Sequence, residues 1–300
     1  GPLARFPTAF RMKRSRSGAP PRRAAWAPPT SLTELAAAVG APTSEPAFDS
    51  GSDAFVTKRP PRPGDWLADG GPGEGDRGGQ DFDAFATSVG LHARTSRMAR
   101  AYMPSSARKT IYLTAVPPFS EHSGAPALAT VASFVKAWFG LPCQVYHGTS
   151  SPPKHGARRR GGREQLLTTQ INSWLGDVKA ALPDAFALLA LTGADLYPEP
   201  RFNFVFGEAI PNAGVGVFSL ARYHPRWPNL RQSGAAHALS AVEARTLLRR
   251  ALKVVVHELG HIFQFNHCVY YECVMNGSNG LDETDLQPLH LCPVDLRKLC

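Results

Sequence analysis

The 300-residue chain carries 33 Lys and Arg against 24 Asp and Glu, a net charge of +9 at neutral pH. Seven of the cations (Arg5, Arg11, Lys13, Arg14, Arg16, Arg22 and Arg23) precede residue 24 with no acid among them, so the rest of the chain carries only +2. A nearly neutral body argues against a nucleic-acid-binding domain, and no apolar run reaches the length of a membrane span.

Gly and Pro number 27 each, which implies long irregular segments. Residues 1–29, rich in Pro, Arg and Ala, read as a solvated tail. An Arg-rich, acid-free start is also compatible with organelle targeting. Ser31-Leu32-Thr33-Glu34 is a capping box that predicts one short helix, Leu32 to Val39. Pro, Ser and Gly return over 41–64, and the folded part is expected to begin between Phe55 and Trp66. The domain reading is therefore a basic, Pro-rich tail over 1–59 and a single domain over 60–300. Asp69 to Gln80 is Gly-rich but lacks the Gly-Lys-Ser/Thr ending of a phosphate loop, so it reads as a connector. A helix begins within 81–86.

Thr110 to Val116 is a short apolar run that predicts a buried strand. Ala127 to Trp138 has helical spacing and stops at Gly140. Cys143 to Tyr146 is a second strand, and Thr149 to Arg163 a polar loop with a basic knot at Lys154 and Arg158 to Arg160. Gln165 to Ala181 reads as a helix with Leu166, Ile171, Trp174, Leu175 and Val178 on one face. Ala185 to Leu191 is the strongest buried strand. Phe202–Gly207 and Val215–Leu220 read as a hairpin. Ser240-Ala241-Val242-Glu243 is another capping box, and starts a long helix with Leu247, Leu248, Leu252, Val255 and Val256 inward. Strands alternating with helices, followed by a hairpin, predict an α/β domain with a mixed sheet.

That helix runs into His257-Glu258-Leu259-Gly260-His261, with His267 six residues on. Residues i and i+4 share a helix face, so His257 and His261 can present two imidazoles to one ion. Glu258 sits beside them, within reach of a zinc-activated water. A turn after His261 would bring His267 round as third ligand and leave one position open, as a catalytic zinc requires. The plain alternative for each is a partly buried histidine and a solvated glutamate. Four of the five cysteines (Cys268, Cys273, Cys292 and Cys300) lie in the last 33 residues. An odd count so clustered argues for a metal site in a reducing, cytoplasmic setting rather than a secreted disulfide scaffold. Cys143 reads as core.

These residues resemble the archaemetzincins, a metzincin-like metallopeptidase family. The histidine run is joined to Cys268, Cys273, Met275 and Cys292 at close to the family's spacing. Upstream, Pro63–Leu67, Ile111–Leu113, Thr168–Ile171, Asp195–Pro198, Phe202–Gly207 and Gly216–Ser219 also look like stretches of it, so the likeness spans roughly 60 to 300. The resemblance implies a metzincin-like mixed sheet with packed helices, an active-site helix carrying the histidine motif and a C-terminal cysteine-rich zinc-binding segment. It implies two zinc ions, one catalytic and one structural, a peptide or protein substrate, and Met275 as an apolar floor beneath the catalytic site.

Two departures stand out. Gln264 occupies the position where the family has Gly. If the turn needs a positive φ there, a side chain costs on the order of 1–2 kcal/mol, and Asn266 is the residue expected to absorb part of it. The family also ends its cysteine cluster with Cys-x-x-Cys, whereas this chain has Cys292-Pro293-Val294-Asp295. Asp295 ranks first as fourth ligand, His290 second and Cys300 third. Pro293 suits the first position of a helix, and eight helical residues would carry Cys300 about 12 Å from Cys292.

The leading expectation is a zinc metallopeptidase with Glu258 as general base, whose extended substrate pairs with a sheet edge within Phe202 to Leu220. The alternatives are a zinc-dependent peptide-binding protein without turnover, motivated by Gln264, and a nucleic-acid-binding protein in which the cysteines form a zinc knuckle.

Overall fold

The computed structural model describes residues 79–91, 103–119, 124–148, 156–227, 239–278 and 280–299. The expectations for the tail, the helix Leu32–Val39, the domain start, most of the Asp69–Gln80 connector, the loop over 149–155 and Cys300 lie outside these residues. The described residues fall into two compact units, one within 104–262 and one made of those within 79–103 and 263–299.

The first unit holds all the strands among the described residues. β1 (Thr110–Val116), β2 (Cys143–Val145), β5 (Ala185–Thr192), β8 (Val215–Ser219) and β7 (Gly207–Ile210) form a sheet in the order β2-β1-β5-β8-β7. It is parallel except for β7, which runs antiparallel to β8. β5, flanked by β1 and β8, is buried at all eight positions. A continuous apolar run suits such a strand, since parallel strands are covered on both faces. A smaller sheet joins β3 (Arg158–Arg160), β4 (Arg163–Leu167) and β6 (Asp195–Tyr197).

Three helices pack on the large sheet. α2 (Leu128–Phe139) buries Val131 and Val135 and ends at Gly140, whose left-handed φ of 64° closes the helix. α3 (Thr168–Ala180) sets Ile171, Leu175 and Val178 into the core formed by Leu188, Ala190 and Val217. α4 (Ala241–Ile262) opens on the predicted capping box. The Ser240 amide donates to Glu243 Oε2 (2.8 Å) and the Glu243 amide to Ser240 Oγ (3.3 Å). The first turns of α4 are largely exposed, but every residue from Arg250 to Ile262 is buried.

Three expectations need correction. The basic knot at Arg158 to Arg160 is a strand, not loop: β3 and β4 pair antiparallel. The Arg158 guanidinium explains why so cationic a segment can pair. It lies 3.8 Å over the Tyr197 ring and donates to Gln165 Oε1 (2.8 Å) and the Pro200 carbonyl (2.9 Å). The helix predicted from Gln165 starts three residues later, because Gln165–Leu167 pair with β6, and Gln165 Nε2 donates to buried Asp195 (2.8 Å). The first hairpin arm is Gly207–Ile210 rather than Phe202–Gly207. Phe204 and Phe206 instead stack edge to face, and the Arg222 guanidinium covers Phe204 at 3.2 Å.

The second unit contains α1 (Phe82–Ser88), α5 (Leu281–Leu286), α6 (Pro293–Leu299) and the irregular chain between Phe263 and Gly280. Asp81 caps α1 by accepting from the Ala84 amide at 2.7 Å. Pro293 begins α6, as its fixed φ and missing N–H favour. Gly79, at φ +76°, brings its backbone so close to residues 269 and 270 that a Cβ there would lie 2.3 Å from Val269.

Candidate metal centres

His257 and His261 sit one turn apart on the buried half of α4. Their rings meet edge to face, and their Nε2 atoms are 3.1 Å apart, one ring donating to the other. Two nitrogens each 2.0–2.1 Å from a tetrahedral zinc would lie about 3.3 Å apart. The pair is thus spaced as two ligands of one ion. After Ile262 the helix ends, and the chain is redirected before half-buried His267.

The turn that does this is made by Gln264, at φ +68°, the one non-glycine residue with positive φ among those described. Asn266 does not take the left-handed conformation, contrary to expectation. The cost therefore falls on Gln264, on the order of 1–2 kcal/mol. The backbone on either side is held by buried Gln80, whose Nε2 donates to the Gln264 carbonyl (3.1 Å) and whose Oε1 accepts from the Asn266 amide (3.1 Å).

Glu258 is 2% exposed. Burial, reinforced by the negative charge of Glu208 on β7, pushes its carboxyl up to about 8. A cation held by the neighbouring histidines works in the opposite direction. Glu208 in turn accepts a hydrogen bond from the Thr168 hydroxyl.

The second group is Cys268, Cys273, Cys292 and Asp295, all buried. Cys268 and Cys292 Sγ are 3.5 Å apart. Cys273 Sγ donates to Asp295 Oδ2 at 3.2 Å, and Cys292 Sγ lies 3.7 Å from the same oxygen. Thiolates 2.3 Å from a tetrahedral zinc would be about 3.8 Å apart, so this donor set also fits. Burial opposes ionisation of all three thiols. Hydrogen bonds from Cys273 and Cys292 nonetheless take Cys268 well below the usual thiol range, while burial leaves the other two well above it. Asp295 is pushed up to about 6 by burial and the Cys268 charge, with Lys298 pulling the other way.

Of the alternatives for the fourth position, His290 is exposed and outside this group. Cys143 is half-buried on β2, and burial raises its thiol to about 12. Met275 is fully buried, and its carbonyl accepts from the Cys268 amide at 2.8 Å.

Sequence reasoning missed the residues that hold this cluster. Asn276 donates to the Cys268 and Tyr271 carbonyls (both 2.9 Å) and accepts from the Cys273 amide (2.9 Å), stapling the loop to itself. Nothing in the sequence marks it. Lys298 bonds Asp295 Oδ1 at 2.7 Å, and the i,i+3 spacing on α6 could have revealed it. Gln80 is 184 residues from Gln264 and carried no signal.

The comparisons with known proteins agree with one another. A profile of peptidase family M54 matches residues 167–300, which include both groups of candidate ligands. Archaemetzincin-2 of Pongo abelii is 31% identical over 276 residues, covering 84% of this chain and 71% of that protein. The chain belongs to the archaemetzincin family. Archaemetzincin-2 of Macaca fascicularis is 30% identical with the same coverage. Archaemetzincin-1 of Homo sapiens is 33% identical over 243 residues, covering 73% of this chain and 46% of that protein. A crystal structure of a zinc-dependent peptidase from Methanocorpusculum labreanum aligns with a TM-score of 0.50 at 22% identity, covering 63% of this chain and all of that one. That likeness speaks for the fold alone. This archaemetzincin is thus a zinc metallopeptidase on a mixed α/β fold, with groups of side chains suited to metal and with peptides or proteins as its substrate class. No helix among its described residues is long and apolar enough to cross a membrane.

Proposed function

We propose that the chain hydrolyses peptide bonds at a metzincin-like site in which His257, His261 and His267 hold a catalytic zinc and Glu258 is the general base. The observation that carries this is the pair of Nε2 atoms 3.1 Å apart on a helix whose intervening glutamate is buried. Zinc bound there supplies Lewis acidity and brings the pKa of water toward about 7. Glu258, fixed on a rigid helix and shielded from bulk solvent, takes a proton from water and returns it to the leaving amine. Burial suits the second half of that cycle, because it stabilises the protonated carboxyl until the amine departs.

β7 is the edge of the large sheet, paired only with β8 among the described strands. An extended substrate adds to that edge, which belongs to the same unit as Glu258 and carries the Glu208 charge that Glu258 senses. A second, structural zinc is held by Cys268, Cys273, Cys292 and Asp295. Asp is a harder donor than the thiolate it replaces, but zinc accepts both. The same proposal takes residues 60–300 as one catalytic domain behind a tail over 1–59. The non-catalytic reading rested on Gln264. The run makes its turn with Gln264 in the left-handed region, which supports retaining turnover.

The test is cleavage of a peptide library by the zinc-loaded chain and by Glu258→Ala at equal zinc content. Turnover should fall by about 10²–10⁴-fold. Equal turnover in the two would sink the mechanism, and no turnover in either would restore the binding-only reading.

A further inference from the structure

The turn that carries His267 is held from far along the chain, and the same contacts reach the cysteine–aspartate cluster. Lys298 is buried, and its Nζ has three acceptors: Asp295 Oδ1 (2.7 Å), the Gln80 carbonyl (2.7 Å) and Gln80 Oε1 (3.1 Å). An ammonium has three protons, so the set is complete. The rings of Phe265 and Phe85 flank it at 5.6 and 5.9 Å. Asp295 therefore faces two ways, with Oδ1 on Lys298 and Oδ2 on Cys273 and Cys292. Gln80 also faces two ways, receiving Lys298 while its carboxamide clamps Gln264 and Asn266.

Charge gives the lysine a reason to be there. Three thiolates and a carboxylate around a divalent cation leave two excess negative charges, and Lys298 cancels one. A buried ammonium with no such partner would cost several kcal/mol. The clamp on Gln264 likewise has a physical reason, since a glutamine at φ +68° needs its surroundings to over-determine the turn.

We propose that Lys298 and Gln80 are positioning residues that tie the cysteine–aspartate cluster to the turn bearing His267, so that a zinc in the cluster helps set the third histidine for the catalytic ion. This rests on the two-zinc reading above. Lys298 reaches the turn through its bonds to Gln80 and through the ring of Phe265.

The experiment loads the full chain with Co²⁺, whose absorption distinguishes thiolate from imidazole ligation, and titrates each site with a chelator. Gln80→Ala should weaken the histidine site about tenfold or more, with a smaller effect on the cysteine site. Lys298→Met should weaken both and speed amide exchange at Asn266. Adding Asp295→Cys to Lys298→Met should restore the cysteine site alone, because the bond from Lys298 to Gln80 is still missing. A merely structural role would lower both affinities together in every variant. Unchanged histidine-site affinity in Gln80→Ala or Lys298→Met, or recovery of both sites in the double variant, overturns the coupling. If Gln80→Ala does not fold, Gln80→Glu gives the same comparison, since it keeps the acceptors and loses the donor to Gln264. One metal ion per parent chain, or two in His257→Ala, overturns the two-zinc reading and the coupling with it.

Discussion

The two candidate metal groups are built in opposite ways. His257 and His261 take their positions from the repeat of a single helix, on the half of it that is buried. The cysteine–aspartate group comes from two separate stretches of chain, the loop with Cys268 and Cys273 and the start of α6 with Cys292 and Asp295. It is held by Asn276, which bonds across its loop, and by Lys298, which stands behind Asp295. A helix supplies geometry as a by-product of its backbone hydrogen bonds, whereas a loop has to be given it residue by residue. The first kind of site tolerates change around it. The second depends on its supports.

That contrast can be broken in four places. The largest effect is expected from Cys273→Ser, which takes a thiolate from the loop site. Structural zinc sites contribute apparent binding energies of about 10–16 kcal/mol in small peptides, and much of that is folding energy. Metal analysis should show one zinc lost per chain, and denaturant unfolding a clearly lower midpoint. A parental midpoint would mean that the cluster does not support the fold.

Asn276→Ala removes no candidate ligand but leaves two carbonyls and one amide of the loop without their bonds. A loss of about 3 kcal/mol is expected in urea melts, from about 1–3 kcal/mol for each buried group left unsatisfied. An equivalent polar-to-alanine change on the exposed start of α4 should cost far less, and comparable losses would erase the distinction between helix-built and loop-built sites.

Gln264→Gly sharpens the comparison at the junction of the two styles. It relieves the left-handed strain but loosens the unfolded chain, so the net gain is about 0.5–1 kcal/mol. A loss of stability on thermal melting would show that the Gln264 side chain contributes more than its backbone costs.

The smallest effect lies at the far end of the helix, at Glu243. Its carboxyl is held down to about 2 by the Arg226 guanidinium and by Ser240. A depressed carboxyl stabilises the fold above its unfolded value of 4.5, and that contribution fades as pH falls toward 2. Glu243→Gln should therefore be less stable than the parent at neutral pH and approach it near pH 2. Parallel stability curves across that range would remove the ion pair from the account.

What could be read in the sequence follows the same division. β1 matches its predicted bounds, α2 and α4 their predicted capping and spacing, and the i,i+4 histidines their shared face. Each of these rests on local repetition. β3 and β4 escaped because their pairing depends on Arg158 finding Tyr197 and the carbonyls near Pro200, which no local pattern announces. The misplaced start of α3 has the same origin: Gln165 serves Asp195, thirty residues on. In the second group, the cysteines and Asp295 were legible as ligand types. Asn276 and Gln80 were not, because an amide becomes informative only once its partners are known.

The burial of α4 from Arg250 onward has a consequence for portability. A synthetic peptide of residues 240–262 would keep the spacing of both histidines and the capping box. It would have no neighbours against which to bury Val254, Val255, Val256 and Leu259, nor any dry environment for Glu258. Short helices are marginal in water, so such a peptide would offer zinc a fluctuating pair of imidazoles. The shortfall in its affinity, set against that of the intact chain, is a direct reading of how much of the site is preorganisation and how much is ligand chemistry.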